Sequence, residues 1–101
     1  MDKTNLKIFE YLEKNKQKFK KPKTHINVIL LTIKTCKKII GKNKTQYSHV
    51  VAFLPKVADF LHDNKIINDD LFVTINEFDN EDLINLIEDL MSIKGCFVKY
   101  L

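Results

Sequence analysis

Apolar residues return every three or four positions along much of the chain, the spacing that places side chains on one face of a helix. The pattern predicts five helical segments. The first segment starts near Thr4, a suitable N-cap. Its apolar face consists of Leu6, Ile8, Phe9 and Leu12. Further on, lysines fall on the apolar side, so Lys14–Lys23 is either an exposed basic extension of the helix or a solvated loop.

The second segment runs from Thr24 to just before Gly41, and a glycine is typical after a helix C-terminus. Its first half is apolar on most sides, which predicts a central and buried helix. The run Ile26–Ile33 is rich in β-branched residues and therefore also fits a strand. The length of the whole segment favours a helix.

The third segment opens around Thr45 or Ser48 and reaches Asn64. One apolar stripe runs along it and keeps its phase across Pro55. Either a kinked helix or a short turn followed by a new helix at this proline fits that pattern. The stripe consists of Tyr47, Val50, Leu54, Val57 and Leu61, with Phe53 and Phe60 beside it.

Two shorter segments complete the pattern. Asn68 is a suitable cap for a short helix that ends near Asn76, although Leu71–Ile75 also fits a strand. The fifth segment is the clearest, because acidic residues fill its first turn, where the helix dipole favours them. Its caps and end signals are Asp79, Asn80, Lys94 and Gly95. Its expected buried stripe is Leu83, Leu86, Ile87, Leu90 and Met91.

Together the segments predict a single all-α domain over residues 1–101, a compact bundle of four to five helices. The alternative is an α+β fold with a small sheet. Its strands would be Ile26–Ile33, Leu71–Ile75 and Phe97–Leu101.

Charge is divided unevenly along the chain, and all 17 positive side chains are lysine. Residues 1–44 hold 13 lysines against three carboxylates, a net charge of +10. Residues 45–101 hold four lysines against ten carboxylates, a net charge of −6. Either the two halves neutralise each other within the fold or each offers a charged surface. Without arginine, bidentate recognition of phosphate or guanine is excluded.

Several lysines would share a narrow stripe if one helix ran through residues 3–21. Such a stripe binds phosphates through counterion release without reading sequence, and Phe19 would stack on an unpaired base. The candidate nucleic-acid-binding residues are Lys3, Lys7, Lys14, Lys18, Phe19 and Lys21, with Lys16, Lys20 and Lys23 around the far end. The simpler alternative is a solvated helix face. Membrane binding is not expected, because the stripe lacks a long apolar face with anchoring side chains.

Carboxylates on the third and fifth predicted helices offer a docking surface for a basic protein. The candidate protein-binding residues are Asp59, Asp63, Glu81, Glu88 and Asp89. The alternative is helix capping and ordinary solubility. Self-association, in which the basic half of one copy meets the acidic half of another, is a further possibility.

Catalytic residues, a metal and a cofactor are not expected. The trio Asp59, His62 and Asp63 shares one helix face, but three such residues are a weak metal signal. The segment Gly41–Thr45 resembles the end of a phosphate-binding loop, yet it lacks the earlier glycine and the hydroxyl residue directly after Gly-Lys. Cys36 lies on an apolar helix, so we expect it to be buried and not nucleophilic.

The leading expectation is therefore a non-catalytic interaction module that binds another protein stoichiometrically, as an inhibitor, immunity-type or adaptor protein. The bias toward lysine, asparagine and isoleucine indicates an AT-rich coding sequence, such as that of a virus or a mobile element. The alternative is a nonspecific nucleic-acid-binding protein. The first residues do not resemble a signal peptide and no apolar run is long enough for a bilayer. We therefore expect an intracellular protein in which Cys36 and Cys96 are free thiols.

Overall fold

The computed structural model describes residues 3–92, which form five α-helices and no β-strand. The helices are α1 (Lys3–Asn15), α2 (His25–Ile39), α3 (Tyr47–Asp63), α4 (Asp69–Asn76) and α5 (Asn80–Ser92), and a 3-10 turn (Lys16–Lys18) follows α1. The predicted all-α bundle is confirmed. The alternative strands at 26–33 and 71–75 are wrong, because both stretches are helical. The third alternative strand, 97–101, and the end signals Lys94 and Gly95 lie outside the described residues.

The hydrophobic core lies between α2 and α3, which pack against each other. These two helices supply most of the buried apolar side chains. The helices α1, α4 and α5 each contact both of them. Fully buried side chains include Ile8, Leu12, Val28, Val50, Val57, Leu61 and Ile87. The central pair therefore provides the surface on which the other three helices are held.

Burial explains why α2 is a helix although its first half is rich in β-branched residues. Thr24 caps it, and its side-chain oxygen accepts a hydrogen bond from the backbone N–H of Asn27 at 3.2 Å. Thr32 lies in the core, where its hydroxyl donates to the carbonyl of Val28 at 2.9 Å and so has a partner. Gly41 adopts a φ of +120°, which side-chain-bearing residues rarely take, directly after the helix.

The helix α3 continues through Pro55 without interruption. The predicted alternative of a new helix starting at this proline is therefore wrong. Pro55 is exposed, so the ring that removes one backbone hydrogen bond stays out of the core. The helix α3 begins at Tyr47, between the two predicted starting points Thr45 and Ser48. Its cap is Gln46, whose backbone N–H donates to Nδ1 of His49 at 3.0 Å.

Two apolar residues that the pattern assigns to the core are exposed. Leu6 is 50% and Tyr47 is 45% accessible to solvent. The buried residues of α1 are Ile8 and Leu12, and Leu6 lies about 200° around the helix from Ile8, on the opposite side. Tyr47 is the first residue of α3 and precedes Val50, the first buried residue of that helix.

The two C-terminal helices follow the sequence prediction. The side-chain oxygen of Asn68 accepts a hydrogen bond from the backbone N–H of Leu71 at 2.9 Å and caps α4. The predicted stripe of α5 faces the core. Its buried members are Leu83, Ile87 and Leu90, and its partly buried members are Leu86 and Met91.

The basic stretch Lys14–Lys23 is mainly a loop and not an extension of the helix. The helix α1 ends at Asn15, whose side-chain amide donates to the carbonyl of Tyr11 at 2.8 Å. A 3-10 turn follows, and the backbone is then extended at Phe19, with φ −72° and ψ 131°. Phe19 is partly buried and packs against the core. The prediction of one helical lysine stripe through residues 3–21 is therefore wrong beyond Lys14, the last lysine of α1.

Replacing the fully buried Leu61 by alanine is expected to lower the free energy of unfolding by about 2–5 kcal/mol, because buried apolar surface is lost and a cavity remains. Leu6→Ala is the matched control, since Leu6 is exposed and its loss is expected to change stability by no more than about 0.5 kcal/mol. Urea unfolding followed by circular dichroism measures both values. An equal loss in the two variants would contradict the placement of Leu6 outside the core.

Candidate functional site

A groove runs between the loop after α1 and the first half of α2, and it encloses about 850 Å³. Its lining combines five lysines with apolar side chains and one amide. The lysines are Lys18, Lys20, Lys21, Lys23 and Lys34, and the other lining residues are Phe19, Pro22, Asn27, Leu30 and Leu31. We call this feature the basic groove.

Local structure fixes both walls of the basic groove. On α2, Asn27, Leu30 and Lys34 are three and four residues apart, so they share one face of the helix. The other wall is the loop, which Phe19 holds against the core. Within that loop Pro22 has a restricted φ and disfavours a helical conformation in the residue before it. The lysines are therefore presented from two supported segments.

The basic groove carries positive charge that the described residues do not neutralise. All five of its lysines are exposed. None of them has a carboxylate of residues 3–92 within 4.0 Å of its ammonium nitrogen. The nearby contact of Lys16 with Glu13, at 2.8 Å, involves no lining residue. Charges that lie within roughly one Debye length of each other, about 10 Å at 0.1 M salt, add to a common field that attracts anions.

A second depression adjoins the basic groove and differs from it in charge. The two share Lys21, Pro22 and Lys23. The second depression also contains the carboxylates of Asp63 and Asp69 and the ammonium group of Lys65. Its lining is therefore mixed in charge, whereas the charged side chains that line the basic groove are all lysines.

The predicted basic residues are divided between two places. Lys18, Phe19 and Lys21 line the groove. Lys3, Lys7 and Lys14 lie on α1 and are exposed, but they are not part of the lining. The division arises because α1 ends at residue 15, so the later positions leave the helical register.

Sequence reasoning missed four residues of the groove: Asn27, Leu30, Leu31 and Lys34. They belong to the wall that α2 contributes. One available signal was Lys34, an exposed charge three positions after Leu31 in an otherwise apolar run. Which loop faces this side of α2 is set by tertiary structure, so the pattern of α2 alone does not predict the groove.

The predicted protein-binding carboxylates are all exposed. Asp59 and Asp63 lie on α3, and Glu81, Glu88 and Asp89 lie on α5. Among residues 3–92 no cationic group lies within 4.0 Å of any of the five. Their role in protein binding stays a prediction.

The trio Asp59, His62 and Asp63 does not form a cluster suited to a metal ion. His62 instead contacts α4, where its ring stacks on Phe72 with centroids 4.1 Å apart. Its Nε2 lies 2.6 Å from Oδ1 of Asp69. Across residues 3–92 no group of three or more histidine, cysteine or carboxylate side chains is placed to hold a metal.

The loop Gly41–Thr45 follows α2, and three of its hydrogen-bond donors bond to a carbonyl within the loop. The carbonyl of Gly41 accepts hydrogen bonds from the backbone N–H groups of Lys44 and Thr45 at 3.2 and 3.1 Å. The hydroxyl of Thr45 donates to the same carbonyl at 2.8 Å. These groups serve the turn after the helix, as expected for a C-cap, and do not form the open cradle of amides that a phosphate-binding loop needs.

Comparison of the chain with models of protein families, with curated proteins and with solved structures gave no match. The site is therefore interpreted from its own residues. Within the part of the chain from residue 3 to residue 92, no helix has both the length and the apolar character that crossing a bilayer requires.

The thiol of Cys36 is expected to be unreactive in the folded protein. Cys36 is buried in α2, and burial raises the pKa of its thiol to about 12, which leaves almost no thiolate at neutral pH. In a Cys96→Ser variant, in which Cys36 is the one remaining cysteine, a disulfide-exchange reagent should react at least about 100-fold more slowly in buffer than in denaturant. Reaction of the folded variant at the rate of a free thiol would contradict this environment.

Proposed function

We propose that the chain is a non-catalytic binding module, and that its ligand is a nucleic acid held by its phosphates in the basic groove. One observation carries the proposal: five exposed lysines surround a single groove, and no carboxylate of residues 3–92 lies within 4.0 Å of their ammonium nitrogens. A bound polyanion would supply the negative charge that these lysines do not find among residues 3–92.

Lysine chemistry determines how such a ligand is bound. An ammonium group donates hydrogen bonds and accepts none, whereas phosphate oxygens are acceptors, so the groups match without further polar partners. Each lysine that contacts a phosphate releases condensed counterions, which makes the affinity depend steeply on salt. Since the chain has no arginine, it lacks the planar guanidinium group whose fixed fork of donors matches guanine best. The expected binding is therefore independent of base sequence.

A second candidate function is stoichiometric binding of a basic protein through the carboxylates of α3 and α5. It is supported by the exposure of these five groups and by the lack of a cation beside them among residues 3–92. An inhibitor, immunity-type or adaptor protein would use such a face for steering and complementarity. A partner that remains bound after nuclease treatment and is lost on charge reversal at Glu81, Glu88 and Asp89 would favour this candidate.

The matched test of the leading proposal compares two triple variants with the same change in charge. Lys18, Lys21 and Lys34 line the groove, whereas Lys7 on α1 and Lys42 and Lys44 in the turn after α2 do not, although all are exposed. Changing the first set to glutamine should weaken binding of a labelled oligonucleotide and make the plot of log K against log salt shallower by roughly two units, about 0.7 for each lost phosphate contact. The second set should bind nearly as the parent protein does.

Fluorescence anisotropy at several salt concentrations measures these affinities, and circular dichroism confirms that both variants fold. Two results would contradict the proposal. One is the absence of oligonucleotide binding at low ionic strength. The other is an equal loss in the two triple variants, because a general effect of net charge would then replace a role for the groove.

A further inference from the structure

We propose that the basic groove takes a single strand of nucleic acid and seats an unpaired base against Phe19, over an apolar floor formed by Leu30 and Leu31. This inference rests on the proposed function and deepens it by naming the class of ligand.

The floor of the basic groove is apolar, although its rim is charged. Leu30 is 5% accessible and belongs to the core, and Leu31 and Phe19 are partly buried beside it. All three line the groove, and Phe19 stands in the loop between Lys18 and Lys20. A ligand that used only the rim would leave this apolar surface in water, whereas a ligand with charged and apolar parts at short spacing would cover both.

A single strand of nucleic acid alternates charged phosphates with bases whose faces are free, whereas a duplex does not present free base faces. Each nucleotide of a single strand carries one phosphate and one base whose flat face is free to stack on an aromatic ring. In a duplex the bases stack on one another, so the phosphates reach the lysines while the apolar floor stays uncovered. The position of Phe19 between two lysines suits the stacking of one base with phosphates on either side.

Phe19→Trp provides a direct test, because the chain has no other tryptophan. Its fluorescence should be quenched when a short oligothymidine binds, since the base stacks on the indole ring. A duplex of the same length and inorganic polyphosphate should bind through the lysines with little quenching. Phe19→Leu, which keeps an apolar side chain against the core but removes the ring, should weaken oligothymidine binding roughly fivefold more than duplex binding. Displacement of the loop would instead weaken the binding of both ligands alike.

Phe72→Leu is the matched control, because Phe72 is also partly buried but lies outside the groove. It should bind oligothymidine as the parent protein does. Equal affinity for single strand and duplex, together with an unquenched tryptophan, would overturn the inference and leave the proposed function standing. If the parent protein bound neither oligothymidine nor the duplex, the inference and the proposed function would both be overturned. Displacement of oligothymidine by polyglutamate at equal charge concentration would show that an acidic polypeptide fits equally well, and would also overturn the inference.

Discussion

The packing of α2 against α3 is the contact on which the rest of the molecule depends. Each of the other helices touches both members of this pair, and the fully buried valines and leucines are concentrated on it. The same contact makes the groove possible. One face of α2 packs in the core, and the neighbouring face with Leu31 and Lys34 lines the groove. For the proposed ligand, this wall is part of the folded structure before binding.

The lysines of the basic groove are not paired with oppositely charged groups of the described residues in the way that the apolar side chains of the core are packed against one another. No lysine that lines the basic groove lies within 4.0 Å of a carboxylate of residues 3–92. The like charges around the groove repel one another, which opposes the compact state. A bound polyanion would relieve this repulsion, and because it would bind the folded state preferentially, it would also raise the apparent stability. Stability and ligand binding are thus linked through the same lysines.

Local signals account for the parts of the fold that the sequence predicts well. Thr24 and Asn68 are N-caps with short polar side chains, and α5 combines a strong apolar stripe with acidic residues in its first turn. Leu6 and Tyr47 break the prediction, since an apolar residue near a helix end follows the spacing without having a neighbour to pack on.

The candidate site is less predictable than the helices because it joins residues that are far apart in the sequence. The lysine-rich composition of residues 14–23 predicts a basic surface in this region, but the helical stripe predicted there does not exist beyond residue 15. Phe19 holds the loop through a tertiary contact, and that contact places it in the same groove as Lys34. Neither the end of α1 nor the partner wall on α2 follows from periodicity, which describes one element at a time.

Mapping amide chemical shifts by NMR during titration with oligothymidine tests the central claim most directly. We predict that the changes in chemical shift concentrate on the loop after α1 and on α2 from Asn27 to Lys34, and that α5 is unaffected. Shifts concentrated on the acidic surfaces of α3 and α5, or spread evenly over all exposed lysines including Lys42 and Lys44, would contradict a ligand site in the basic groove.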